Sequence, residues 1–167
     1  DWNTPEIWTS KAQKLYGEWN RTIEEHSGKT DMVPPSYAHV VGAVNRVCDD
    51  TDLALTASGG FPGELCKNWK TKTVGTFDCE FGFSCMGYEI AGGWGAKMAD
   101  PSRDVIVFVG DGAYLMLNSD VYSSVLTGHK MISFFVTMEV LESSIVCRIS
   151  RVVRLSIICW KIQKLSI

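Results

Sequence analysis

DVIVFVGDGAYLMLNS, residues 104–119, is the stretch on which the reading of this chain turns. Residues 105–109 are apolar without interruption and bounded by Pro101 and Gly110, too continuous for a half-exposed strand. A run that short reads as a central parallel strand buried on both faces. It stops at Gly110-Asp111-Gly112, and a helix over 114–126 follows, closed by Gly128 just past its end. The C-terminal end of such a strand, facing a helix N-terminus, is where open α/β sheets bind ligands. The glycines let backbone approach a phosphate closely, and the helix start offers free N–H groups. Asp111 would repel a bare phosphate, so a divalent cation between the two is the economical arrangement, with Mg²⁺ the ion of choice. A tight strand-to-helix turn with Asp111 as N-cap accounts for the same residues, and both readings stand at this point.

Outward from this stretch, strands and helices alternate. Residues 5–26 carry Trp8, Ala12, Leu15, Trp19 and Ile23 at spacings of three and four, the pattern of a helix with one apolar face. A polar connector over 28–35 leads to a second helix with Ser36 as N-cap and Val40, Val41, Val44 and Val47 on its buried side. His39 on that helix reads as a surface or internally satisfied histidine rather than a catalytic one. DLALTAS, 52–58, is a short strand running into Gly59-Gly60-Phe61-Pro62-Gly63, with Pro62 at the first position of the next helix. The loop has neither the GxGxxG spacing nor a Lys-Ser/Thr pair, so it is no dinucleotide fingerprint and no P-loop. Residues 74–81 form a further strand before the loop 82–87, and 88–98 a helix rich in small residues. Its glycines each cost about 1 kcal/mol of helix propensity against Ala, which makes sense if the helix packs very close to something. MISFFV, 131–136, is another buried strand. The expected fold is a doubly wound, mostly parallel α/β domain, with three glycine-rich loops (59–63, 82–87, 110–112) gathered at one sheet edge.

Composition is consistent with this. A chain of 167 residues is one domain's length, and 46% hydrophobic against 21% charged content supports a packed core rather than disorder. A net charge of −3 offers no footprint for nucleic acid. The six cysteines show no CxxC pair or regular spacing and read as reduced thiols, not a disulfide framework or zinc site. Without a signal peptide or a run of about 18 apolar residues, the expectation is a cytoplasmic protein with no membrane partner. The start at Asp1 rather than Met suggests a fragment.

Gly110-Asp111-Gly112, with the end of an apolar strand 24 residues on, resembles the thiamine diphosphate (ThDP) motif of the acetolactate synthase and pyruvate decarboxylase superfamily. GFSCMGYEIAGGWGAKMADP, 82–101, is similar to its GxxxMGxxxxAAxGAxxA segment. Together with GFPGELCKNW, 60–69, these stretches look most like the branch that opens a cyclic 1,2-dione to 5-deoxyglucuronate in inositol catabolism, and the similarity runs over 2–136. The resemblance implies the pyrophosphate-binding domain of a ThDP- and Mg²⁺-dependent hydrolase that cleaves a C–C bond of a small-molecule substrate. By the family pattern Asp111 binds Mg²⁺, and Gly112 and Ala113 meet the diphosphate through backbone N–H groups. Met86 props the bent cofactor, the Ser84 region meets the aminopyrimidine, and Gly59 and Gly60 supply the other side of the pocket. No catalytic residue is expected within this chain, because the family's catalytic Glu belongs to an N-terminal domain and acts across a subunit interface of a homodimer or tetramer. Another ThDP enzyme, such as an acetolactate synthase-like one, and a non-catalytic module that keeps the fold are the alternatives.

The resemblance stops after Val136. All 15 glycines lie before that point, and the last 30 residues hold no Gly, Pro, Ala, Asn or Asp and no consistent helical or strand period. The expected organisation is therefore an N-terminal helix and linker (1–35), an incomplete ThDP pyrophosphate-binding domain (36–136) and an aberrant tail (137–167). Loss of one G before the Thr137 codon explains the tail. Residues 137–148 can be encoded so that restoring the base gives Asp-Asn-Gly-Gly-Phe-Gly-Val-Ile-Asn-Arg-Leu-Gln, and the Met138-Glu139 junction forces a Gly in the shifted frame. That string is what the family looks like after this strand. Its first Asn falls at position 138, where the second Mg²⁺ ligand belongs and where this chain has Met138.

Overall fold

The computed structural model describes residues 3–29, 31, 35–138 and 153–158, with 136–138 and 153–158 described through their backbone alone. The order of elements is α1 (Glu6–Ser27), α2 (Tyr37–Val47), β1 (Leu53–Thr56), α3 (Gly60–Asn68), β2 (Phe77–Cys79), α4 (Tyr88–Ala99), β3 (Val105–Gly110), α5 (Asp111–Leu126), β4 (Ile132–Met138) and β5 (Val153–Ile158). The strands form one sheet in the order β2-β1-β3-β4-β5. The first four are parallel; β5 pairs antiparallel with β4, from Ser133 opposite Ile158 to Met138 opposite Val153. The tail, whose sequence has no strand period, thus contributes an edge strand. No described helix is long and apolar enough to cross a membrane.

Side-chain alternation along the strands builds two cores. Ala54, Ile106, Phe108 and Phe134 point to one face and pack under Val41 and Val44 of α2 and Phe61 and Leu65 of α3. Leu53, Leu55, Val105, Val107, Val109 and Phe135 point to the other, under Ile90 of α4 and Ala113 of α5. β3 is buried at every position from Val105 to Val109 because helices cover both of its faces, as its unbroken apolar run predicts. Phe108 is the hub of the first core. Its ring lies 5.3 Å from Phe61, 5.8 Å from Trp69 and 5.4 Å from Phe134, the last pair stacked. Thr56, fully buried beside it, donates its hydroxyl to the Phe108 carbonyl at 3.1 Å and so leaves no unpaired polar group.

The small-residue helix α4 does pack very close, at one point. A Cβ added to Gly93 would sit 2.5 Å from Val107 Cγ2 and 3.1 Å from Met131 Sδ, so only glycine lets α4 lie this near β3. Overpacking there would cost roughly 1–3 kcal/mol. That exceeds the propensity of about 1 kcal/mol that the glycine forgoes. Gly95 faces open space, and this packing does not explain it.

Several local expectations are corrected. The apolar stripe of α1 lies on a helix, but only Ile23 near its end is buried; Trp8, Leu15 and Trp19 are exposed. Helical spacing shows that a face can be buried, and not whether something covers it. What ties α1 down is polar: Trp19 Nε1 donates to the Lys67 carbonyl, and Arg46 donates to the Ser27 carbonyl at 2.7 Å. Val47, at the last turn of α2, is exposed rather than buried, beyond the reach of the sheet. Of the glycine stretch 59–63 only Gly59 is loop. α3 starts at Gly60, so Pro62 is the third helical residue, still inside the first turn where a missing N–H costs nothing. β2 is three residues long rather than eight, with Val74 fully exposed. α5 begins at Asp111 itself, without a loop, and has non-helical backbone at Leu117. His39 completes a capping box with Ser36, Nδ1 accepting from the Ser36 N–H at 3.3 Å, so it is a satisfied structural histidine. Gly128 closes α5 with φ +79°, as expected of a residue just past a helix end. Pro34 and residues 139–152 and 159–167 of the tail lie outside the described residues.

Candidate cofactor site

The chain runs from β1 through α3 to the edge strand β2, then back through α4 across β1 to β3. The direction of winding therefore reverses between β1 and β3, and ligands of open α/β sheets sit outside the strand ends at that place. Three helices begin there, each on a glycine: α3 after Gly59, α4 after Gly87 and α5 after Gly110. None of the three is capped by a side chain, whereas α2 carries a full capping box. Each start presents the positive end of a helix dipole to an anion, although the Gly87 and Tyr88 N–H groups at α4 already donate to Glu89 and the Cys85 carbonyl and the Gly112 N–H at α5 donates to Asp111.

The residues singled out from the sequence come together at this edge. Gly59 has φ +101°, a conformation that side-chain-bearing residues rarely adopt. Gly60 follows it, and an added Cβ would lie 3.0 Å from the Tyr37 hydroxyl. Ser84 is the one non-glycine residue with positive φ among the described residues, at 54°, and its hydroxyl donates to Ser58 Oγ at 3.1 Å. This bond joins the segment after β1 to the loop before α4. Met86 reaches from that loop to the third: its Cε would be 3.1 Å from a Cβ on Gly112. Asp111 is the first residue of α5 rather than its N-cap, and Oδ1 accepts from the Gly112 N–H at 2.8 Å. Ala113 is buried beneath it. This edge thus offers a glycine cradle, two helix starts without a side-chain cap and the Asp111 carboxylate, with the partly exposed Met86 thioether alongside. These residues suit the diphosphate of ThDP, and Asp111 by itself is an incomplete Mg²⁺ site. Among the described residues no three His, Cys, Asp or Glu side chains converge on a metal.

Two residues that shape the pocket were not singled out from the sequence. Glu80 accepts from the Cys85 N–H at 2.7 Å and the Phe83 N–H at 3.0 Å, one on each oxygen, and folds the loop around its carboxylate. Those bonds, Cys85 first, hold its pKa below the ordinary carboxylate range. A depressed pKa means that the loop gains this support above the carboxyl's unfolded value and loses it as pH falls through the lower, folded one. In a pH titration followed by NMR, the Cys85 amide resonance is expected to move with a midpoint below that of a free glutamate, and Glu80→Gln to abolish the movement. A midpoint at or above the free value would contradict these hydrogen bonds. Glu89 is the second, fully buried in the first turn of α4 and accepting from Ser58 and Gly87. An acid two residues after a glycine that opens a helix is a signal legible in sequence, but its partner 31 positions away is not. Behind the loop, the Tyr88 hydroxyl donates to Asp78 at 2.7 Å, and this bond before burial pushes its pKa up to about 12.

Residues 57–141 match the family described as thiamine pyrophosphate enzyme, C-terminal TPP binding domain. Among curated proteins, the chain is similar to 3D-(3,5/4)-trihydroxycyclohexane-1,2-dione hydrolases. That of Geobacillus thermodenitrificans is 39% identical over 140 residues, covering 75% of this chain and 22% of the relative. Those of Clostridium botulinum (39% over 110 residues; 66% and 17%) and Bacillus anthracis (41% over 118 residues; 71% and 18%) are alike in kind. The chain spans about a fifth of the length of these relatives. With the site at the winding reversal and the match across its three glycine segments, the chain belongs to the C-terminal TPP-binding domain family of the thiamine pyrophosphate enzymes.

Proposed function

We propose that this chain is the diphosphate-binding part of a ThDP- and Mg²⁺-dependent hydrolase that cleaves a C–C bond of a cyclic 1,2-dione in myo-inositol catabolism. The observation that carries the reading is the meeting of three glycine-started, uncapped helix N-termini with Asp111 and Met86 at one place. The names of the relatives support the substrate class. Asp111 would hold Mg²⁺; Gly112, Ala113, Gly59 and Gly60 would line the diphosphate through backbone, and Met86 would prop the bent cofactor with its aminopyrimidine at Ser84. The bound cofactor supplies the carbon nucleophile and electron sink needed at a carbonyl. This chain's share is to bind and orient it; the catalytic Glu is assigned to sequence of the relatives beyond the match, in a cytoplasmic homodimer or tetramer. Exposed Phe81, Phe83, Leu115 and Met116 on the loop and helix of the site suit burial against such a neighbour.

Residues 137–167 are assigned to a frameshift, and the match to the family ends at 141, close to the proposed point. Resequencing that finds an intact frame through codon 137 removes that assignment. A chain carrying Asp-Asn-Gly-Gly-Phe-Gly-Val-Ile-Asn-Arg-Leu-Gln at 137–148 is expected to gain thermal stability from Mg²⁺ and ThDP together. At about a hundred times Kd the gain is about 2.7 kcal/mol. For a chain of this size that raises Tm by roughly 5–10 °C. An unchanged Tm in the repaired chain would refute the pocket.

A further inference from the structure

We propose that Glu89 is the positioning residue of this pocket, a single buried carboxylate that ties the segment after β1 to the segment before α4. The inference rests on the reading of these segments as the cofactor's pocket. Oε1 accepts from the Ser58 N–H at 3.0 Å and Oε2 from the Gly87 N–H at 2.9 Å. Ser58 immediately precedes Gly59, and Gly87 immediately follows Met86, so the two bonds fix both arms of the site relative to each other. The Ser84–Ser58 hydroxyl contact lies on the same seam, but it is exposed and open to competition from water. Glu89 is not exposed at all.

Burying a carboxylate is costly unless hydrogen bonds replace its hydration. Among the described residues no ion pair reaches Glu89. Two backbone donors and the start of α4 carry the compensation. An apolar side chain would fill the same volume without that cost. What an apolar residue cannot supply is two acceptors aimed in different directions. The carboxylate holds Gly87 at φ +96° and Ser58 next to Gly59 at φ +101°, the two backbone turns that open α4 and α3. The spacing between the diphosphate side and the pyrimidine side of the pocket is therefore set before a cofactor arrives. Glu80 holds only its own loop and sets no such spacing.

Amide hydrogen exchange in the full chain tests this, comparing the wild type with Glu89→Gln and with Ile90→Val. Gln keeps the volume but offers one acceptor, so one of the two N–H groups loses its partner. Ile90→Val loosens the same buried turn without touching either bond and gives the reference for a generic loss of stability. Exchange at Ser58 and Gly87 is expected to rise about tenfold more in Glu89→Gln than in Ile90→Val, with the β3 amides unchanged. Millimolar Mg²⁺ and ThDP are expected to slow exchange at Gly112 and Ala113 in the wild type, and to need about tenfold more ThDP in Glu89→Gln. Equal rises in the two variants, or the same ThDP requirement in wild type and Glu89→Gln, would overturn the proposal. A wild-type chain whose Gly112 and Ala113 ignore ThDP refutes the pocket reading instead, and the cofactor-free comparison then decides the clamp alone.

Discussion

Titrated with Mg²⁺ and ThDP in a calorimeter, this chain is expected to show no binding in the micromolar range. Mg²⁺ is a hard cation that takes near-octahedral oxygen ligation. Asp111 offers one carboxylate, its Oδ1 already accepting from the Gly112 N–H. Position 138, where the family resemblance calls for Asn, carries Met138, and a thioether is a poor ligand for a hard ion. Even groups that only support metal ligands change affinity about 10–100-fold, so losing a ligand outright should cost at least about a hundredfold. The residues after it, which by the same resemblance would contact the diphosphate, differ as well. The glycine cradle and helix starts remain, and they are expected to leave only a weak affinity for the diphosphate. The same deficiency is expected to leave the chain catalytically inactive by itself. A Mg²⁺-dependent Kd in the micromolar range would overturn both statements, and would mean that Asp111 and backbone suffice.

Phe108→Ala is expected to destabilise the fold more than any other single truncation of the first core. Phe108 is fully buried and contacts Phe61, Trp69 and Phe134, rings from two elements and the connector between α3 and β2. Removing a buried Phe costs about 3–5 kcal/mol, from lost transfer energy and the cavity left behind. Stacked and edge-to-face ring pairs add about 0.5–1.5 kcal/mol beyond their buried area, which favours the upper end. The sheet cannot collapse into the space, because β3 is held on both sides by β1 and β4. Against a total stability of about 5–15 kcal/mol, such a loss leaves a substantial unfolded fraction near physiological temperature. Thermal melting should show Tm lower by about 6–20 °C. A fall under about 2 °C would mean that the cluster around Phe108 is not packed as described.

Although α3 and α5 start earlier than the glycine loops suggest, the order of strands and helices, the centrality of β3 and the placement of Gly87 at a helix start were legible from the sequence. Each depends on local chemistry. An unbroken apolar run needs cover on both faces, and a glycine before a helix leaves its first N–H groups open. In the residues alone Asp111 as a cation ligand stood level with Asp111 as an N-cap, and Met86 read as a core methionine; the family resemblance is what assigns both to the site. Other features belong to the tertiary structure alone. The stripe on α1 has helical spacing but lies mostly exposed, because spacing records which face is apolar and not what stands opposite it. The three-residue length of β2 is set by where β1 ends as its partner. β5 forms in a segment without strand periodicity because β4 offers an edge of unpaired backbone donors and acceptors, which any extended segment can meet. Glu89 shows the division most clearly. Its sequence position marks an acid at a helix start, a solvated residue in most proteins. Only the fold brings the Ser58 N–H to its other oxygen and closes it off from water, turning a charge into the fixed distance between two loops.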